Sequence, residues 1–464
     1  MTIPSWVQES IFYQIFPDRF NNSQPDRKDI RLQPWGAPPN IWDFQGGDLR
    51  GVIQKIDYLL DLGVNGIYLN PIFQSASSHR YNPSDYYRID PKLGDMRDFN
   101  DLLEVAHRRG MRVIIDGVFN HTGRGFFAFN DILENGEHSP YRDWYTISHF
   151  PPDAYSPGAA VDYLAWWKFK SLPKLNTQHP AVRKYMMDVA RYWIEQGADG
   201  WRLDVPNEID DDDYWAEFRH IVRSVNSDAY LVGEIWEALP RWANDQHFDG
   251  LMNYPLREGI LGILTSEFKV SQFLERADRL VTIYPRENVH SMYNLLGSHD
   301  TERIFTLLGL NMDKARLAYT LLFAFPGVPS IYYGDEIGLE GGRDPDCRRA
   351  FPWDTRSWNS DLRSWIQKLI GVRKSNPALR GGNFSRMLVE DGHRTFAFAR
   401  RLGNESILVA CNASATRHTA RVKVTDLGWK EGRIAHNLLG REEEIVSGDY
   451  LTLTLEPWSG LLFA

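Results

Sequence analysis

Four short stretches of this sequence put polar and charged side chains where a buried strand would carry apolar ones. GWRLDV holds Arg202 and Asp204 two positions apart. IIDGVFNH holds Asp116, Asn120 and His121, LVGEIWE holds Glu234, and NLLGSHDTER holds His299 and Asp300. Residues two apart on a strand share a face, so Arg202 and Asp204 point one way while Trp201, Leu203 and Val205 point the other. A single buried ion pair is weak evidence for function. Four strand ends that all deliver such residues to one rim are stronger, because charges are rarely buried without need. Three carboxylates converging with Arg and His suit glycoside hydrolysis, which needs an ionised nucleophile and a protonated acid. A retaining enzyme holds the two about 5–5.5 Å apart. A neighbouring arginine keeps the nucleophile ionised, and crowding by other carboxylates raises the acid's pKa. Arg202, beside Asp204, is placed for the first task.

The elements that must position these residues are strands alternating with helices. Apolar or β-branched runs lie at 10–16, 64–70, 112–118, 200–205, 230–235, 250–254, 292–297 and 329–334. Between them run amphipathic stretches such as VIQKIDYLLDLG, FNDLLEVAHRRG and VRKYMMDVARYWIEQG, each ending in glycine. Alternation implies a parallel sheet, and eight strands imply an α/β fold, a (β/α)8 TIM barrel with its site at the C-terminal ends of the strands. The segment after the third strand, rich in Pro, Gly, His and aromatics, reads as an inserted subdomain. From about Gly381 the pattern changes to alternating strands, TFAFARRL, ILVACNAS, ARVKV and YLTLTL, which read as a C-terminal antiparallel β-sandwich. The expected division is 1–120 and 177–380 for the barrel, 121–176 for the insertion and 381–464 for the last domain.

Composition sets outer limits. The chain has 464 residues, 43% hydrophobic and 24% charged, as in ordinary folded proteins. Its net charge of -9 argues against broad nucleic-acid binding. Two cysteines, Cys347 and Cys411, suit a reducing compartment and form no disulfide framework. No signal peptide is evident, and a cytoplasmic location is expected. The run LAYTLLFAFPGVPSIYYG is broken by Pro326, Gly327 and Pro329 into a buried helix and strand, so no membrane partner is expected. The acidic run Asp210–Asp213 reads as a solvated helix start favoured by the helix dipole.

DGVFNH, GWRLDVPNE, GEIW and LLGSHD resemble the four signature regions of the α-amylase family of glycoside hydrolases, in the family's order. The resemblance implies that Asp204 is the catalytic nucleophile, Glu234 the general acid/base and Asp300 the third acid, which stabilises the transition state. It implies substrate-binding roles for Asp116, His121, Arg202 and His299. HRYNPSDYY adds His79 and a stacking tyrosine, Tyr81, and GGRDPDCRR adds Asp344 and Arg348. LPKLN, at 172–176, is similar to a motif of the cyclomaltodextrinase, neopullulanase and maltogenic amylase group, as are Glu208 in DVPNE and Trp236 after the acid/base.

The implied substrates are cyclodextrins, maltooligosaccharides and pullulan, with transglycosylation as a side reaction. An α-glucosidase or a 4-α-glucanotransferase on the same machinery is the alternative, and a non-catalytic scaffold a remote one. Most of that group carries an N-terminal β-domain, which is expected to be lacking because the first strand begins near Ser10. The resemblance implies no required cofactor and assigns no metal ligand. DRFNNSQPDRKD matches the group's calcium loop only in part, although GGD, ending at Asp48, is kept. Asn120 matches a calcium-binding position of secreted relatives but reads more simply as a hydrogen-bonded loop residue. Oligomeric state is left open.

Overall fold

The computed structural model describes residues 3–27 and 32–464. Eight parallel strands form the central sheet: β1 (Phe12–Ile15), β2 (Gly66–Leu69), β3 (Arg112–Gly117), β4 (Gly200–Leu203), β5 (Tyr230–Gly233), β6 (Gly250–Leu251), β7 (Tyr293–Asn294) and β8 (Val328–Tyr332). Their order is β6-β5-β4-β3-β2-β1-β8-β7. A parallel bridge between Met252 and Tyr293 joins the two edges, so the sheet closes into a TIM barrel. Seven of the eight strands fall within the sequence runs that predicted them, and β8 begins one residue before its run.

Alternation along the strands separates two cores. Phe12, Tyr68, Ile114, Tyr230, Val232 and Tyr293 fill the barrel interior. Tyr13, Ile67, Val113, Ile115, Trp201, Leu203 and Leu231 face the helices. Gly200 lets β4 and β5 approach, since a Cβ there would lie 2.1 Å from the Tyr230 carbonyl oxygen. The helices end as their sequences require. Helix Met96–Arg108 begins with a capping box of Asp95 and Asp98, and helix Ile56–Leu62 ends on left-handed Gly63.

Two long excursions rise from the C-terminal ends of β2 and β3. The first is a hairpin of Phe73–Ser75 and Pro83–Ile89. The second runs from Val118 to Asn176 and contains helix Phe127–Asn135 around buried Phe129, Ile132, Tyr145 and Tyr163. It returns to its own root, where His121 pairs with Lys174 and Tyr145 with Leu175. The Asp210–Asp213 run does open a helix. Asp211 caps Asp212–Val225, and Asp210 and Asp212 pair with exposed Arg241.

After helix Ser360–Ser375 the chain builds antiparallel sheets. Asn383–Glu390, Thr395–Leu402, Glu405–Asn412 and Ser459–Phe463 form four strands, and His418–Lys423 pairs with Tyr450–Leu455. Ala397, Leu408, Val422, Trp429, Leu451 and Leu453 fill the space between them. The opposite face, with Phe396, Phe398 and Val409, packs on the barrel's helices. Among the described residues, no helix is long and apolar enough to cross a membrane.

Candidate active site

The site is organised by one guanidinium. Arg202, on β4, is 1% exposed and faces the barrel interior. Strand register sets it beside Asp116 of β3. Its Nη1 donates to Asp116 Oδ1 at 3.0 Å and to Asp204 Oδ1 at 3.0 Å. Its Nη2 lies 2.9 Å from Glu234 Oε2, an ion pair too bent to be a good hydrogen bond. One cation is thus bracketed by three carboxylates. The hydroxyls of Tyr68 and Tyr81 both donate to Asp116 Oδ2, fixing it beneath the cluster.

Alternation along β4 ends at Leu203, sooner than the sequence suggests. Val205 has φ 35 and ψ 52, a left-handed conformation rare for a β-branched residue. Such strain, about 1–3 kcal/mol, is characteristic of functional sites. The turn aims the Val205 N–H at Glu234 Oε2, 3.2 Å away. Trp236 Nε1 donates to the other oxygen at 3.3 Å. Glu234 is therefore held on both sides.

A second group faces this cluster. His299 Nε2 lies 3.0 Å from Asp300 Oδ2, while its Nδ1 meets Gln14 Nε2 at 2.9 Å and Asn70 Nδ2 at 3.1 Å. Nδ1 must accept from these amides, so the proton sits on Nε2 and points at Asp300. Arg348 reaches Asp300 Oδ1 at 3.4 Å and Asp344 at 3.0 Å. The Tyr81 ring lies parallel to His299, at 7° and 5.1 Å, and His79 lies 6.1 Å from it, 19° from parallel. His121 Nε2 contacts the Tyr81 carbonyl at 2.9 Å. Asp300 remains a third exposed, so this side of the cluster opens outward.

Electrostatics divide the three acids. Burial pushes Asp204 and Glu234 above their ordinary values, against the pull of Arg202; repulsion by Glu234 and Asp116 adds to the rise at Asp204, and repulsion by Asp300 to that at Glu234. Burial also pushes Asp300 upward, but His299, Arg348 and Arg202 outweigh it and hold Asp300 well below that range. Burial lowers His79 to about 3 and His121 to about 4, so both are neutral.

The structure brings together twelve of the thirteen residues singled out from sequence. Trp236 stands beside Glu234, stacked on Tyr254 at 3.9 Å and 6°. Glu208 sits apart, half-exposed, its carboxylate and carbonyl both held by Lys174 Nζ. Sequence reasoning missed Gln14, Tyr68 and Asn70, which orient His299 and Asp116 from inside the barrel. Their signal was polarity within SIFYQIF and VNGIYLN, on the face that alternation turns inward.

Of the groups compared with the calcium sites of relatives, Asp18 and Asp48 are engaged within the protein. Asp18 pairs with Arg19 and accepts from Gln45 and Gly46, and Asp48 caps helix Leu49–Gln54. Lys28 and Asp29 of the partial loop match lie outside the described residues. Asn120 Nδ2 lies 3.2 Å from His121 Nδ1, and its Oδ1 is buried without a partner among the described residues. Among the described residues, no group of three or more His, Cys, Asp or Glu could hold a metal.

A TIM barrel whose strand ends gather paired, protonatable carboxylates around an arginine defines a glycoside hydrolase site. Residues 14–374 match the family model described as alpha amylase, catalytic domain. The chain is 40% identical to a cyclomaltodextrinase of Geobacillus thermopakistaniensis, over 99% of this chain and 78% of that one. It is equally similar, with the same coverage, to neopullulanase 2 of Thermoactinomyces vulgaris. The solved structure of a cyclic α-maltosyl-(1→6)-maltose hydrolase from Arthrobacter globiformis superposes with a TM-score of 0.91, at 36% identity over 100% of both chains. The chain belongs to the α-amylase family of glycoside hydrolases.

Proposed function

We propose that this enzyme is a retaining α-glucan hydrolase. It cleaves α-1,4 bonds, and α-1,6 bonds where the cleft admits them, in cyclodextrins, maltooligosaccharides and pullulan, with transfer to sugar acceptors as a side reaction. The observation that carries the reading is the single guanidinium of Arg202 shared by Asp204 and Glu234. One fork reaching both carboxylates favours the close spacing of a retaining pair, about 5 Å, over the wider inverting one.

In the first step Glu234 carries the proton and Asp204 is ionised against Arg202. A carboxylate oxygen of Asp204 bonds to the anomeric carbon as the glycosidic bond breaks, and Glu234 protonates the departing oxygen. Glu234, now ionised, takes a proton from water. That water attacks the same carbon and frees Asp204. Asp300, kept anionic by His299 and Arg348, grips the sugar hydroxyls and favours the distorted ring. Tyr81 supplies a flat face beneath that sugar, and Trp236 one beyond Glu234. His79, His121 and Asp344 complete the walls of the cleft.

Similarity to enzymes named for cyclomaltodextrin and pullulan supports the substrate class. Two buried thiols with no disulfide support a cytoplasmic setting. Asp204→Asn tests the reading. It should remove at least three orders of magnitude of kcat on maltotriose, and the wild-type product should emerge as the α-anomer by proton NMR. Substantial residual turnover, or a β-anomer, would overturn it. Products from β-cyclodextrin and pullulan define the preference; release of glucose alone, with cyclodextrin untouched, would mark an α-glucosidase instead.

A further inference from the structure

We propose that the indole of Trp167 is a sugar-stacking platform, binding a glucose unit of the glucan chain remote from the cleaved bond. This inference rests on the glucan-hydrolase reading and extends it to a part of the cleft with no assigned role.

Three rings form a column leading out of the site. His121, already tied to the Tyr81 carbonyl, lies 5.7 Å from Trp166 with the rings 25° from parallel. Trp166 in turn lies 4.8 Å from Trp167, only 7° from parallel. Trp167 ends the column and is 74% exposed, one broad indole face turned to solvent. An aromatic that served only the core would turn that face inward, where its burial is favourable.

The backbone is strained to keep it there. Trp167 has φ 48 and Lys168 has φ 62, two successive left-handed residues, neither of them glycine. Each such residue costs on the order of 1–3 kcal/mol and persists only where its surroundings insist on it. Here they do. The Ala160 N–H donates to the Lys168 carbonyl at 2.8 Å, and the Lys168 N–H donates back to Ala165 at 3.0 Å. Lys170, two residues on, is fixed by Asp153 at 2.7 Å. Strained aromatics on a rigid loop are what a ligand clamp requires.

The occupant follows from the chemistry. A glucose ring presents an apolar C–H face, and an indole is its flat, amphipathic complement. Continuity with the site favours a glucan over a protein partner, because the column starts at the histidine that abuts the sugar-stacking tyrosine. Trp236, 42% exposed beside Glu234, supplies a second platform of the same kind. Glucans long enough to reach Trp167 gain a contact that maltotriose cannot fill.

The test compares binding in an inactive background. Titration calorimetry with maltohexaose on Asp204→Asn is compared with Asp204→Asn/Trp167→Ala. Dissociation constants should weaken about tenfold, the effect of one lost aromatic stack, while Trp167→Phe recovers most of it. In the active enzyme, Trp167→Ala should lower the ratio of kcat/KM for maltohexaose over maltotriose by a similar factor. Ile445→Ala, at an exposed site on the last domain, should leave that ratio alone. Equal maltohexaose affinities with and without Trp167 would overturn the platform and leave the hydrolase reading intact. If the wild-type enzyme cleaves no glucan, both fall. If sedimentation shows that Trp167→Ala turns a dimer into a monomer without changing affinity, the patch is an interface between copies and the platform is again overturned.

Discussion

Of the places where this molecule buries arginine, two do opposite things. Arg202 sits among Asp116, Asp204 and Glu234, so carboxylates outnumber the cation. Arg373 and Arg400 lie at the C-terminal end of helix Met312–Ala324, facing backbone carbonyls. Arg373 donates to Phe323, Gly327 and Leu379, and Arg400 to Ala324 and Gly382. They satisfy the orphan carbonyls at that helix's C-terminus and tie the last domain to the barrel. Burial and neighbouring positive charge pull both of their pKa values down, whereas Arg202 is raised well above its ordinary value by Asp116 and Glu234, against the effect of burial. Buried charge alone therefore does not mark a site. Excess negative charge around one cation, open on one side, does.

The comparison predicts its largest contrast for Arg202→Met. Three carboxylates lose their cation, and activity should fall by at least three orders of magnitude. Stability should fall by about 3–5 kcal/mol at pH 8, because the charges left behind are buried and unpaired. The loss should be smaller at pH 5. Without Arg202 the folded-state pKa values of Asp204 and Glu234 rise still further above their unfolded values. Their contribution to stability is then fully present only below the unfolded pKa and disappears as pH rises through the folded one. Thermal unfolding at the two pH values checks the sign; an active variant with flat pH dependence would erase the distinction between the two arginine sites.

Arg400→Met is the converse. It orphans the carbonyls of Ala324 and Gly382 and should cost about 2–4 kcal/mol. The folded protein should keep kcat on maltotriose within about twofold, since no carbonyl in that cluster touches the site. A folded Arg400→Met with a collapsed kcat would mean that the two regions are coupled, and the contrast would fail.

These two arginines also show what was legible in the sequence. Arg202 could be read because its strand alternates and because Asp204, Glu234 and Asp300 appear at other strand ends with recognisable neighbours. Eight strands were legible because short apolar or β-branched runs recur between helical patterns. Arg373 and Arg400 could not be read, because their partners are backbone carbonyls, which every residue carries. In the sequence Val205 reads as the last outward residue of a strand; its left-handed turn is imposed by the tertiary packing of the rim and leaves no trace in residue type. Trp166 and Trp167 were legible as aromatics in an insertion, but their parallel stacking on His121 depends on a loop whose path local propensity does not determine.

A third kind of buried charge offers the finest test. Glu336 is wholly buried and pairs with no cation among the described residues. Its Oε1 accepts from the Tyr13 hydroxyl at 2.8 Å and from the Tyr58 hydroxyl. Burial pushes it up to about 7, with the two tyrosine bonds pulling the other way. Its folded pKa thus lies above the unfolded value of about 4.3. The stability it contributes is complete below about pH 4 and is lost as pH rises through about 7. Glu336→Gln keeps the shape and the acceptor oxygen but cannot ionise. Between pH 5 and pH 8 the wild-type protein should lose more stability than this variant, by about 1–3 kcal/mol on the scale of 1.36 kcal/mol per pKa unit. Unlike Arg202→Met, it should leave kcat unchanged. Melting curves that run parallel across that range would show that Glu336 stays ionised without a cation, and that buried carboxylates here need neither the arginine of the site nor a proton.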